Sequence, residues 1–212
     1  MITFDYNPLK ESIIVAGETQ TGKTEFTKKL ALMLVQNNYN VIVEDFHRKF
    51  TECDPMAVKR NLYDIKGKGL EILQPYEFTL KYFNDLCAMV YSMYNVIFII
   101  DELHNFCKKQ STKSVSNLDL YCRNCHNRGT DINPKYGSSY IAIFQRPAEI
   151  PNFVLGNSTH RFCCWFDLPS DIKFMEKWVG TEVRKFASGE IQIDDWKAIY
   201  KKKGLPAEVI DL

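Results

Sequence analysis

The sequence has no long apolar run. None approaches the ~20 residues that a bilayer-spanning helix needs, so no membrane span is expected. It also has almost no net charge: 27 Lys+Arg against 26 Asp+Glu leave a formal +1. That excludes a global basic field, and any nucleic-acid surface has to be a local patch. Met1-Ile2-Thr3-Phe4-Asp5 has neither the basic start nor the apolar centre of a signal peptide, and the chain reads as cytoplasmic. Internal repeats and low-complexity segments are lacking too. The seven cysteines are an odd number without a secreted framework, so most are expected to be reduced core thiols, Cys87 and Cys107 among them. Cys122, Cys125 and His126 have the spacing of half a zinc site. The other half would have to come from His160 or from Cys163 and Cys164, which face opposite sides of a strand. Buried thiols are the expected outcome.

What the chain does have is Gly17-Glu18-Thr19-Gln20-Thr21-Gly22-Lys23-Thr24, a match to G-x-x-x-x-G-K-[ST]. This spacing is that of a phosphate-binding P-loop. A short apolar run, 12–16, precedes it, and Phe26, Leu30 and Met33 follow at helical spacing. The loop therefore sits between a strand and the positive end of a helix to about Gln36, where free N–H groups can wrap a phosphate. Gly17 and Gly22 permit backbone angles and a close approach that a Cβ would obstruct. Lys23 is expected to reach the β- and γ-phosphates of ATP, and Thr24 to place its hydroxyl on Mg²⁺.

Strand-type and helix-type stretches alternate along the rest of the chain. Strands are expected at 41–45, 70–73, 95–100, 139–144 and 160–166, and helices at 79–93, 117–127 and 170–178. A short strand near 190–193 and a basic helix at about 194–203 complete the reading. The alternation predicts an α/β fold, a mostly parallel sheet flanked by helices with right-handed crossovers. The 212 residues suit one P-loop ATPase domain, with its core at about 12–180 and a C-terminal appendage at about 181–212.

Three further features carry chemistry. The apolar strand 95–100 ends in Asp101-Glu102. Asp101 is placed to hold the Mg²⁺ shell, and Glu102 to accept a proton from an attacking water. Gln145 follows the strand at 139–144. In a parallel sheet that end lies on the same edge as the P-loop, where an amide can orient the γ-phosphate or the water. Phosphoryl transfer also uses extra positive charge, often an arginine finger. Arg128 is the first candidate, with Arg123, Arg146 and Arg161 as competitors.

Taken in order, GETQTGKT, VIVEDFHRKF, VIFIIDE, HNRG and IAIFQRP resemble the FtsK–HerA superfamily of P-loop ATPases. Within it, they are similar to the genome-packaging ATPases of membrane-containing icosahedral viruses. The likeness covers about residues 12–180. It implies a RecA-like core and a homo-oligomeric ring, a hexamer, that drives double-stranded DNA through its centre at the cost of ATP. It implies Glu102 as the base, Gln145 as a γ-phosphate sensor and Arg128 as a finger reaching the neighbouring subunit. It further implies a viral genome entering a preformed capsid, contacts with capsid or membrane vertex proteins, and a place in the host-cell cytoplasm or with the virion. The chain departs from that pattern in having Arg48-Lys49 where Gly-Glu often follows the histidine, which leaves His47 without an assigned role.

The charge map is consistent with DNA. Residues 103–146 hold seven Lys/Arg and two acids, with Lys108, Lys109 and Lys113 in one polar loop after the catalytic strand. Contacts of this kind grip phosphates without reading sequence. Two alternatives use the same scaffold. A small-molecule kinase would need an acceptor pocket and an arginine-rich lid, and a motor of another type would move protein or filament cargo. A GTPase switch would need Asn-Lys-x-Asp, which is absent.

Overall fold

The computed structural model describes residues 5–107, 116–127, 133, 136–191 and 197–212. Seven strands run in parallel: β1 (Ile13–Ala16), β2 (Asn40–Glu44), β3 (Val58–Lys59), β4 (Leu70–Leu73), β5 (Val96–Ile100), β6 (Ser139–Phe144) and β7 (His160–Cys163). Two more, β8 (Lys197–Lys202) and β9 (Glu208–Asp211), add antiparallel to β7. The sheet order is β3-β4-β2-β5-β6-β1-β7-β8-β9. This is the mostly parallel α/β sheet that the alternation of strand-type and helix-type stretches predicts.

The strands are apolar on both faces because both faces are covered. In β5 every residue is buried. Its even-numbered members Val96, Phe98 and Ile100 pack on one face with Phe83, Leu86, Cys87 and Val90 of α2 (Leu80–Ser92) and Tyr121 of α3 (Ser116–Asn124). Ile97 and Ile99 pack on the other face with Phe26, Leu30, Ala31 and Leu34 of α1 (Lys23–Gln36). Leu80 and Tyr94, which continue the helical spacing of Phe83, Cys87 and Val90, are exposed. Leu80 sits in the first turn and Tyr94 lies beyond the last. The first face is completed by α4 (Asn152–Gly156), α5 (Pro169–Trp178) and α6 (Glu182–Ala187).

The expected basic helix at about 194–203 is a strand over its described part. Of the expected strand near 190–193, Glu190 and Ile191 are not in a strand, and residues 192–196 lie outside the described residues. β8 lays Tyr200 against Phe162 and Ile199 against Cys163 of β7, and it turns into β9 through Gly204, whose φ is +88°. Burying Ala198, Ile199 and Tyr200 against an open sheet edge outweighs the helix propensity of the lysines. No described helix is long and apolar enough to cross a membrane.

Candidate nucleotide-binding site

Sheet order creates the site. β5, β6 and β1 are consecutive neighbours and parallel, so the segments leaving their C-terminal ends emerge side by side. Those segments carry Asp101-Glu102, Gln145 and the P-loop. The Gly17 N–H donates to the Phe144 carbonyl (3.3 Å), and the Glu18 N–H to the Trp165 carbonyl (2.8 Å), which pins the loop between the ends of β6 and β7. A Cβ on Gly17 would lie 2.5 Å from Cys164 Cβ, so this position has no room for any side chain. Gly22 opens α1 at φ 84°, in the left-handed region that glycine enters without strain.

The two halves of the site are joined by hydrogen bonds. Thr19 Oγ1 donates to Gln145 Oε1 (3.1 Å), and Gln145 Nε2 donates to Glu102 Oε1 (2.7 Å). Gln145 is thus a bridge between the P-loop and the acid at the end of β5. Lys23 Nζ donates to the Glu18 carbonyl (2.5 Å), and Thr21 Oγ1 donates to the same oxygen (2.8 Å). Burial lowers the Lys23 ammonium below its usual value, and the neighbouring Cys164, Glu102 and Asp101 oppose that shift.

Asp101 is almost fully buried, and neither carboxylate oxygen closes a hydrogen bond. Burial, then the negative charges of Glu102 and Asp45, push it up to about 7. A buried carboxylate left without partners is costly, and a cation is the group that would satisfy it. Glu102 sits at φ 51°, ψ 46°. His47 Nε2 is 3.6 Å from its Oε1, and His104 Nδ1 is 3.3 Å from its Oε2.

Among the described residues, five that are not glycine have positive φ: Gln20, Asn38, Arg48, Asn95 and Glu102. Asparagine tolerates this region. Gln20 and Glu102 line one cleft and Arg48 directly precedes Lys49, which also lines it, and strain held by non-glycine residues is typical of functional sites. The cleft measures about 380 Å³ and is lined by the P-loop from Thr19 to Thr24 together with Glu25, Lys49, Glu102 and Gln145.

Lys49 and His47 are the additions that the sequence did not disclose. The buried Asp45 carboxylate folds their loop back over the edge, accepting the Lys49 N–H (2.8 Å) on Oδ1 and the Phe50 N–H (3.0 Å) on Oδ2. The only local signal is an acid at a strand end followed by His-Arg-Lys.

Two competitors for the finger role are committed elsewhere. Arg161 is buried, donating to the carbonyls of Trp178 (2.6 Å) and Leu155 (3.3 Å) and lying over the Trp178 ring. Arg146 is held by Asp171 at 3.0 Å. Arg123 is exposed on α3 beside Asp119. Arg128, Lys108, Lys109 and Lys113 lie outside the described residues. The described cysteines are all free, and all but Cys53 are buried. His126 Nε2 is 2.6 Å from Ser12 Oγ. No described group of three or more His, Cys, Asp and Glu could hold a metal by itself.

A parallel sheet, a glycine-rich loop at the start of a helix, a buried lysine and an acid pair on the adjoining strand edge define a P-loop nucleoside triphosphatase. The chain belongs to the AAA-domain family, whose model matches residues 9–133, and it is a P-loop ATPase. No curated protein sequence matches it. Solved structures share its fold at low identity. The genome packaging NTPase B204 from Sulfolobus turreted icosahedral virus 2, in complex with AMPPCP, is similar with a TM-score of 0.71 at 16% identity, over 96% of this chain and 98% of that one. The pCW3 conjugation coupling protein TcpA gives 0.62 at 14%, over 95% and 60%. EssC (ATPases 2 and 3) from Geobacillus thermodenitrificans gives 0.55 at 12%, over 94% and 38%.

Proposed function

We propose that residues 1–212 work as one FtsK–HerA-type ATPase domain that drives double-stranded DNA through a homo-oligomeric ring, a hexamer. The observation that carries the catalytic part is the Thr19–Gln145–Glu102 chain of hydrogen bonds. It ties the phosphate loop to a general base, so a change at the terminal phosphate is felt directly at Glu102.

The roles proposed for the described residues are read from their position, and those of Arg128, Lys108, Lys109 and Lys113 from the sequence. Lys23 and the N–H groups of Gly17 to Thr24 hold the β- and γ-phosphates. Thr24 and Asp101 would hold Mg²⁺, and the unpartnered oxygens of Asp101 fit it. A Mg²⁺ that arrives on nucleotide phosphates needs only one or two protein ligands, and it would supply charge neutralisation at the phosphates. Glu102 accepts a proton from the attacking water, and Gln145 keeps that carboxylate and the P-loop in register. Arg128, reaching in from the neighbouring subunit, stabilises the charge of the transferring phosphoryl group. Lys108, Lys109 and Lys113 hold DNA phosphates.

The cargo we favour is a viral genome entering a preformed capsid, with capsid or vertex proteins as docking partners and the host-cell cytoplasm or the virion as the place of action. Support for this cargo is a matter of length. The match to the packaging NTPase spans nearly all of both chains, whereas the other two neighbours carry much more beyond the shared part.

The test is phosphate release with and without linear duplex. Wild type is expected to hydrolyse ATP faster with duplex. Lys23→Ala should lose nucleotide binding, while Glu102→Gln should bind ATP and release no phosphate. Equal turnover with and without duplex would remove DNA as the cargo. Near-normal turnover by Glu102→Gln would remove it as the base.

A further inference from the structure

We propose that Lys49 is a second phosphate-binding cation of this site, supplied in cis from the loop after β2 and directed at the γ-phosphate. The inference rests on the ATPase reading of the cleft and adds a residue to it.

Strand order argues the placement. Across the sheet edge the order is β2, β5, β6, β1, which sets out Lys49, Glu102, Gln145 and the P-loop in that sequence. A triphosphate gripped by the P-loop extends past Gln145 toward Glu102, where the water must be activated. Lys49 stands on the far side of Glu102, so it meets the terminal phosphate. It lines the same cleft as Lys23, Thr24, Glu102 and Gln145.

The backbone under Lys49 is fixed. Asp45 receives the N–H groups of Lys49 and Phe50, and Gln74 Nε2 donates to Asp45 Oδ2 at 2.6 Å. Phe50 is fully buried in the core beneath the loop, and Arg48 takes the sharp turn at φ 57°. The side chain is exposed and has no ion-pair partner among the described residues.

Charge argues the ligand. Lys49 and Lys23 line this cleft together with the Glu102 carboxylate. Two lysines facing one cleft repel each other until a polyanion enters between them. A triphosphate with one Mg²⁺ still carries roughly two negative charges, more than Lys23 alone offsets. The competing role is neutralisation of the Asp101–Glu102 pair without contact to the nucleotide. That role would act on diphosphate and triphosphate alike, and a γ-phosphate contact would not.

The experiment is calorimetric binding of ADP and of AMPPCP, both with Mg²⁺, to wild type, Lys49→Ala, Lys49→Arg and Lys23→Ala, with thermal melts to confirm folding. Loss of one charge-assisted hydrogen bond predicts that Lys49→Ala weakens AMPPCP about 10- to 100-fold. ADP should change by less than about threefold, and Lys49→Arg should recover most of the loss. Equal weakening of both nucleotides, or no weakening of AMPPCP, overturns the proposal. If wild type binds neither nucleotide, the ATPase reading itself fails, and Lys49 falls with it. If Lys23→Ala loses both ligands while Lys49→Ala loses neither, the cleft stands and only Lys49 is rejected.

Discussion

Asp101 carries the largest electrostatic tension of the site, and its consequence is a pH dependence. Its carboxyl is raised from 3.8 to about 7, so the folded chain holds a proton there that the unfolded chain has released. Stability of the nucleotide-free protein therefore falls as pH rises from about 4 to about 7, by roughly 1.4 kcal/mol for each pH unit of that rise, and levels off above it. Glu44, buried and raised well above its ordinary value, acts in the same direction. Asp101→Asn should flatten the melting-temperature profile between pH 5 and 8 and raise it at the upper end. Because ionised Asp101 is the form a cation can use, Mg·AMPPCP should stabilise wild type more at pH 8 than at pH 6. A profile that rises with pH and is unchanged in Asp101→Asn would contradict this account. At this scale, the residues readable in sequence were those marked by a local pattern of residue types: the P-loop spacing, the Asp101-Glu102 pair closing one apolar strand and the Gln145 amide closing another. Lys49 and His47 were not readable. Their position depends on one buried carboxylate, Asp45, and on Gln74, a residue 29 positions away.

Elements legible from their own residues came out within a residue or two. β1, β4, β6 and α1 are short apolar runs or a helix with plain boundaries. The C-terminal hairpin was not legible because its fold is decided by a partner. Lys197–Lys202 reads as a basic helix in isolation, but β7 presents an open edge whose buried side accepts Ala198, Ile199 and Tyr200. The hairpin should therefore support the edge next to the P-loop strand. Ile199→Ala is expected to cost about 2–5 kcal/mol, as for other fully buried aliphatic side chains. Lys201→Ala, on the same strand but only partly buried, should cost under about 0.5 kcal/mol. Denaturant midpoints for the two variants compare them directly. A negligible effect of Ile199→Ala would mean that the hairpin is not part of the cooperative unit.

At the scale of the whole molecule, the proposed ring divides each active site between two chains, with Lys23, Lys49 and Glu102 from one and Arg128 from its neighbour. Removal of an arginine finger costs about 10³–10⁵ in rate, so Arg128→Ala and Lys23→Ala should each be nearly inactive. Mixed together, they form some interfaces with both groups intact, and part of the phosphate release should return. If mixed rings form and no activity returns, the finger is not Arg128, and Arg123 is the exposed alternative. Arg123 pairs with Asp119 one turn back on its own helix, whereas Arg161 is buried and Arg146 is held across the fold by Asp171.

The central claim is that hydrolysis in this cleft moves duplex DNA, and displacement of a fluorescent third strand from a triplex on linear duplex tests it most directly. Wild type with ATP and Mg²⁺ should strip the third strand. Wild type with AMPPCP and Glu102→Gln with ATP should leave it bound, and Lys108→Ala/Lys109→Ala/Lys113→Ala should slow its release. A wild-type protein that hydrolyses ATP on that same duplex and leaves the triplex intact would contradict the account.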